Sequence, residues 1–285
     1  MKGCDLHIHT NNSDGADDWQ TVLRLAEAAG LACISITDHD NCEVYFQMAN
    51  TKKYFSGKII PGIEMQAYFK GLSIEILGYY FDPVKMRQLL SGLYLSFEQK
   101  NMLELKRFYE KCLSLGMIFP ADIVQKYDPS TCHYAMEHLY NEIKDNPHNV
   151  KHIPDAESLE YYNIFFKRHI SNPNSLFYVN ESDIVPPVDR VFEVIREAGG
   201  KVVLPHVYQY EENTALVLHG LVDKLDGIEC HYPSFTPAQR EYLTKLCMEK
   251  NLIMTGGSDY HGAGRPGKVG ELGLLGGDLP LINFH

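Results

Sequence analysis

The chain has a single tryptophan in 285 residues, and its seven cysteines include no CxxC pair. An odd count without paired spacing argues against a disulfide framework, so the cysteines are expected as reduced core residues of a cytoplasmic protein. No apolar run approaches the roughly 20 residues that span a bilayer, and no signal peptide is expected before the first strand, which starts almost at Met1. Positive charge is also scarce. Lys and Arg total 26 against 37 Asp and Glu, a net charge of −11, which argues against a long nucleic-acid polymer as the main partner. There is no GxSxG elbow and no P-loop lysine motif, hence no sign of a serine nucleophile or a nucleotide-cradling loop.

Histidine, by contrast, is plentiful, with 13 in the chain. The opening stretch Cys4-Asp5-Leu6-His7-Ile8-His9-Thr10 is expected as a short buried strand followed by the polar turn Asn12-Ser13-Asp14-Gly15. Side chains alternate along a strand, so His7 and His9 share a face about 7 Å apart and can grip one metal ion. A helix over 21–29 follows, with Asp17 and Asp18 before it and Gly30 after it. The apolar run 31–37 fits a buried strand ending in Asp38-His39-Asp40, and a helix is expected over 42–55. Strands over 58–64, ending at Glu64, and over 72–80, carrying Glu75, continue the series. Strand, polar end and helix in repetition mark parallel βα units, whose active sites form at the C-terminal ends of the strands.

The rhythm breaks between 83 and 178. A long helical region over 84–115, interrupted near Gly92, precedes shorter helices over 120–127, 131–143 and 159–169. This segment is expected as a helical insertion covering the mouth of the barrel, with Tyr161, Tyr162, Phe165 and Phe166 packing against the barrel. The barrel domain is then 1–82 and 179–285. In its second half a helix over 188–198 precedes a strand over 201–205 ending at His206. A helix over 211–221 leads to a strand over 227–230 ending at His231, and a helix over 237–251 leads to a strand over 252–256. That last strand runs into Gly257-Ser258-Asp259-Tyr260-His261-Gly262. Strand after strand ends in an imidazole or a carboxylate, a donor mix that suits Zn, Fe or Mn.

The motifs HIHT…SDG, TDHD, GIE, the PH of VVLPH and GSDYHG resemble, in order and from residue 4 to about 273, the PHP (polymerase and histidinol phosphatase) family. They most resemble its stand-alone phosphoesterases with a helical insertion. The resemblance implies an α/β fold, a distorted seven-stranded (βα) barrel with a three-metal cluster. His7, His9, Glu64 and Asp259 would hold the first ion, and Asp14, His39 and His261 the second. Glu64 would bridge to a third, with His206 and Glu75 as its other ligands. The family has histidine where this chain has Glu75, a departure that would favour Mn or Mg over Zn. Related chains also carry an arginine where this one has Thr131, close to the retained His133. The substrate phosphate would then be met by Arg265, Lys268, His133, Lys100, His231 or Arg168.

The implied activity is hydrolysis of a small phosphate ester, of nucleotide or sugar phosphate type, by attack of a metal-bound hydroxide, with two to three divalent ions as cofactors. His206 or Asp259 would carry the proton. Exonuclease or oligonucleotide phosphodiesterase activity, C–N hydrolysis and a non-catalytic metal-binding domain are the alternatives. A bridging lysine, as amidohydrolases use, has no good candidate at a strand end.

Overall fold

The computed structural model describes residues 3–129, 131–132 and 134–262. Seven strands form one sheet in the order of the chain: β1 (Cys4–Asp5), β2 (Cys33–Ile36), β3 (Lys58–Phe69), β4 (Leu72–Tyr79), β5 (Lys201–Leu204), β6 (Gly227–His231) and β7 (Ile253–Gly256). The two edges meet: Ile8 bridges Tyr260 in parallel, and the His9 N–H donates to the Tyr260 carbonyl at 2.8 Å. The result is a nearly closed α/β barrel.

Neighbouring strands are parallel except around β4, which runs antiparallel to β5. The expectation of a fourth parallel strand is therefore corrected. Lys70 and Gly71, at φ 48° and 94°, make the two-residue, positive-φ turn of a tight hairpin, so β4 returns directly from β3 with no intervening helix. Glu75 consequently lies within a strand rather than at its end. Glu64 is also internal to its strand, because β3 continues to Phe69.

The chain divides into two compact units. One comprises residues 1–67, 74–93 and 187–285, and the other 68–73 and 94–186. In the first, the helix Trp19–Ala28 starts where Asp18 accepts the Thr21 N–H at 2.7 Å, and it buries Val22, Leu23 and Ala26 against Ile8, Ile34 and Ile36. The helix expected over 42–55 is reduced to one turn, Val44–Gln47, and a short 3-10 segment, Thr51–Lys53; Met48 between them is extended. The long helix expected over 84–115 is two, Pro83–Leu90 and Phe97–Ser114, with Gly92 between them at φ 80°. The first of these belongs to the barrel unit.

The second unit has its own core, in which Leu105, Phe108, Leu139, Ile143 and Phe165 are fully buried. Tyr162 and Phe166 pack on it, so three of the four aromatic residues expected against the barrel, Tyr162, Phe165 and Phe166, contribute to this core. Residues 120–127 form turns rather than the expected helix. Among the described residues no helix is long and apolar enough to cross a membrane.

The cysteines require another correction. Cys4 and Cys33 are joined by a disulfide. They stand opposite one another in the parallel register of β1 and β2, with Cα atoms 4.7 Å apart, a cross-strand neighbourhood that spacing along the chain does not reveal. Cys42, Cys112, Cys132, Cys230 and Cys247 are free.

Candidate metal centre

The β2–β3 ladder continues past the end of β2: the Asp40 N–H donates to the Glu64 carbonyl at 2.8 Å, and His39 bridges Glu64 in parallel. That register brings an imidazole from one strand beside a carboxylate from the next. His7 and His9 are delivered by the chain leaving β1, and Asp259 and His261 by the loop after β7. Asp38 braces the first of these loops, its Oδ1 accepting from the Thr10 N–H at 2.7 Å and its Oδ2 from the Thr10 hydroxyl at 2.8 Å. Gly257 permits the last: a Cβ there would lie 2.3 Å from the Cβ of His7.

Among the described residues three groups of ligand-type atoms result, each gathered within 4.8 Å: His7, His9, Glu64 and Asp259; His9, Asp14, His39 and His261; and His39, Glu64 and Glu75. Glu64 is the hub. Its Oε2 lies 3.2 Å from His7 Nε2, 3.1 Å from His9 Nε2 and 3.5 Å from His39 Nδ1, while its Oε1 lies 2.9 Å from His206 Nε2. His206 Nε2 is also 3.5 Å from Glu75 Oε2. Asp14 Oδ1 lies 3.1 Å from His261 Nε2 and 3.7 Å from His39 Nε2. All nine expected ligands are thus brought together. His9 joins both of the first two groups, and His39 lies within reach of Glu75.

The donor set fits divalent ions. His9 is fully buried, yet neither of its ring nitrogens makes a hydrogen bond of good geometry. Instead its Nε2 faces Glu64 Oε2 at 3.1 Å and Asp259 Oδ1 at 3.2 Å. Tetrahedral ligands about 2.0–2.1 Å from one ion stand about 3.3 Å from each other, so these separations are those of atoms arranged around an ion. Charge is distributed accordingly. Burial alone would lower the pKa of His9, but the two carboxylates close to it, Asp259 and Glu64, outweigh it and raise it to about 9. Burial likewise opposes the ionised forms of Glu64 and Asp259, yet the neighbouring imidazoles, His7 foremost, hold both well below the usual carboxylate range.

His206 and Asp259 both adopt positive φ, 24° and 53°, a region that side chains other than glycine enter at a cost of about 1–3 kcal/mol. Such strain concentrates at functional sites.

Of the residues expected to meet substrate, Arg265, Lys268 and His133 lie outside the described residues. His231 ends β6, half-buried, and is in none of the three groups. Lys100 belongs to the helical unit, its Nζ 4.0 Å from Glu104. Arg168, in the same unit, faces Asp155 at 3.8 Å and Glu157 at 3.6 Å. Sequence reasoning missed a ring of supporting polar groups. Glu229 accepts from His7 Nδ1 at 3.0 Å, Tyr232 donates its hydroxyl to Asp259 Oδ2 at 2.8 Å, and Asp5 accepts the Ser258 N–H at 2.9 Å. An acid inside the apolar run GIEC was a visible signal for Glu229.

A family model described as the PHP domain matches residues 5–148. The chain belongs to the PHP family. Three curated relatives align along nearly their whole length. The phosphoribosyl 1,2-cyclic phosphate 1,2-diphosphodiesterase of Eggerthella lenta is 29% identical, covering 95% of this chain and 97% of that protein. A 5'-3' exoribonuclease of Haemophilus influenzae is 26% identical, over 91% and 90%. The 3',5'-nucleoside bisphosphate phosphatase of Chromobacterium violaceum is 25% identical, over 99% and 94%. The fold is shared with a solved structure from Bifidobacterium adolescentis, described as a candidate metal-dependent phosphoesterase. That match has a TM-score of 0.65 at 23% identity, covering 95% of this chain and 92% of the other. It is also shared with a Chromobacterium violaceum structure described as an amidohydrolase with bound sulfate, with a TM-score of 0.67 at 22% identity and coverage of 98% and 92%. This PHP chain is a hydrolase of phosphoester bonds.

Proposed function

We propose that this PHP chain hydrolyses the phosphate ester of a small substrate, a nucleotide or sugar phosphate, using two to three divalent ions. The observation that carries this reading is the convergence of imidazoles and carboxylates around Glu64: eight residues in three groups, each within 4.8 Å, with His206 Nε2 a further 2.9 Å from Glu64 Oε1. His7, His9, Glu64 and Asp259 would hold one ion, and Asp14, His39 and His261, with His9 at hand, a second. Glu64, Glu75 and His206 would hold a third. Divalent ions there would supply Lewis-acid polarisation of the phosphoryl oxygens and acidify a water. Glu75 adds a hard oxygen donor, which favours Mn, Fe or Mg over Zn at the third position.

The remaining work falls to side chains. Asp259, kept ionised by His7 and His261 against the opposing effect of burial, is an acceptor for a proton leaving the attacking water. Tyr232 fixes its other oxygen at 2.8 Å. Once it has taken that proton, Asp259 can hand it on to the leaving oxygen, so the step balances without a second acid. The first-named relative acts on a cyclic phosphodiester of a phosphorylated ribose and the third on a nucleoside bisphosphate, which supports a ribose-bearing substrate.

A second reading, trimming of RNA from its 5' end, is favoured by the exoribonuclease relatives and opposed by the net charge of −11. The test is a turnover panel with Mn and Zn: a phosphoribosyl cyclic phosphate, a nucleoside 3',5'-bisphosphate and a 5'-phosphorylated oligoribonucleotide. Turnover of either small ester well above the oligomer is expected. Turnover of the oligomer alone would replace this reading with the second.

A further inference from the structure

Glu229 sits in the middle of β6, fully buried between apolar neighbours. Its two oxygens serve two different histidines. Oε1 is 3.0 Å from His7 Nδ1, and Oε2 accepts the backbone N–H of His206 at 2.8 Å. A carboxylate can only accept, so the first contact places the proton of a neutral His7 ring on Nδ1. Nε2 is left as the bare nitrogen, and it is this nitrogen that faces Glu64 Oε2 at 3.2 Å and Asp259 Oδ1 at 3.4 Å. The second contact anchors a residue in a disfavoured conformation. His206 has φ 24° and ψ 43° two residues after the end of β5, and a tethered N–H helps to hold that backbone, from which Nε2 reaches Glu64 at 2.9 Å.

We infer that Glu229 is a positioning residue that sets two ligands at once, the tautomer of His7 and the backbone of His206, and so couples the first ion position to the third. The inference rests on the reading of His7 and His206 as metal ligands. It makes a specific demand of chemistry: both carboxylate oxygens are needed. Glutamine has the same shape but one acceptor, so its NH2 must meet either His7 Nδ1–H or His206 N–H, donor against donor.

The test compares wild type with Glu229→Gln, both stripped by chelator and then titrated with Mn(II) and with Zn(II). Bound ions are counted by elemental analysis, and the melting of the metal-free forms is followed in parallel. Loss of about 10–100-fold in affinity is expected at two ion positions, with the Asp14–His261 position retained and the metal-free melting changed far less than the metal-loaded. Equal affinity and stoichiometry in the two proteins would overturn the role of Glu229. A wild type that binds no ion would overturn the metal reading as well. Should the variant not fold, nitrogen NMR of the Zn-loaded wild type decides. The proton on His7 Nδ1 and the ion on Nε2 are expected, and an ion on Nδ1 overturns the inference.

Discussion

Removing the metals should make stability and metal affinity respond to pH in opposite directions. In the metal-free protein burial works against protonation of His9, yet Asp259 and Glu64 raise its pKa to about 9 from an ordinary value of 6.5. His7 is raised as well: burial opposes, and the charges of Glu64, Asp259 and Glu229 prevail. A folded-state pKa above the unfolded value gives stability that is complete below the unfolded pKa and is lost as pH rises through the folded one. For His9 the window runs from pH 6.5 to about 9, and at about 1.4 kcal/mol per pH unit the loss is about 3 kcal/mol. A metal needs the ring nitrogen without its proton, so affinity should climb over the same window, roughly tenfold per pH unit for each imidazole that must release one. Glu64 and Asp259, held ionised by their imidazole neighbours against burial, release none. Urea denaturation of chelator-stripped protein, beside metal titrations at the same pH values, checks both slopes. Metal-free stability that is flat or rising across the window, or an affinity indifferent to pH, would refute the charge assignment.

Three further outcomes are expected. Glu75→Gln should lower metal content or rate while Glu75→His should shift preference toward Zn; a variant pair matching wild type in stoichiometry and rate would remove Glu75 from the ligand set. Gly257→Ala drives a Cβ to within 2.3 Å of His7 Cβ and 2.4 Å of its backbone nitrogen, so thermal denaturation should reveal a loss of about 1–3 kcal/mol, together with weaker metal binding. Breaking the Cys4–Cys33 bridge, which closes a separation of 29 residues, by Cys4→Ser should cost about 3–4 kcal/mol if chain entropy dominates; an unchanged melting curve in the presence and absence of reductant would argue that the bridge adds nothing to the fold.

Much of the centre was legible because its residues stand where parallel strands end. His7, His9, His39, His206 and Asp259 each follow an apolar run, and such runs converge at one end of a barrel. Glu64 and Glu75 were visible as residues but not in their true setting. The apolar IEILGYY has the same composition in either strand direction, and only the turn at Lys70–Gly71 signals the reversal. The helix expected over 42–55 survives only as two short pieces, because the chain between them runs through extended Met48 and left-handed Asn50. The Cys4–Cys33 bridge depended on strand register, which single-sequence patterning does not encode. Glu229 was passed over for a related reason. Its partners, His7 and the His206 backbone, are 222 and 23 residues away, and a carboxylate serving two histidines is recognisable only when both are in place.

The central claim is that these imidazoles and carboxylates hold divalent ions that hydrolyse a phosphate ester. Elemental analysis of the purified chain after reconstitution with Mn or Zn, on the same sample that is assayed against phosphate mono- and diesters, tests it most directly. At least two ions per chain with turnover of a small phosphate ester is the predicted result. Fewer than one ion per chain and no turnover of any ester would contradict it.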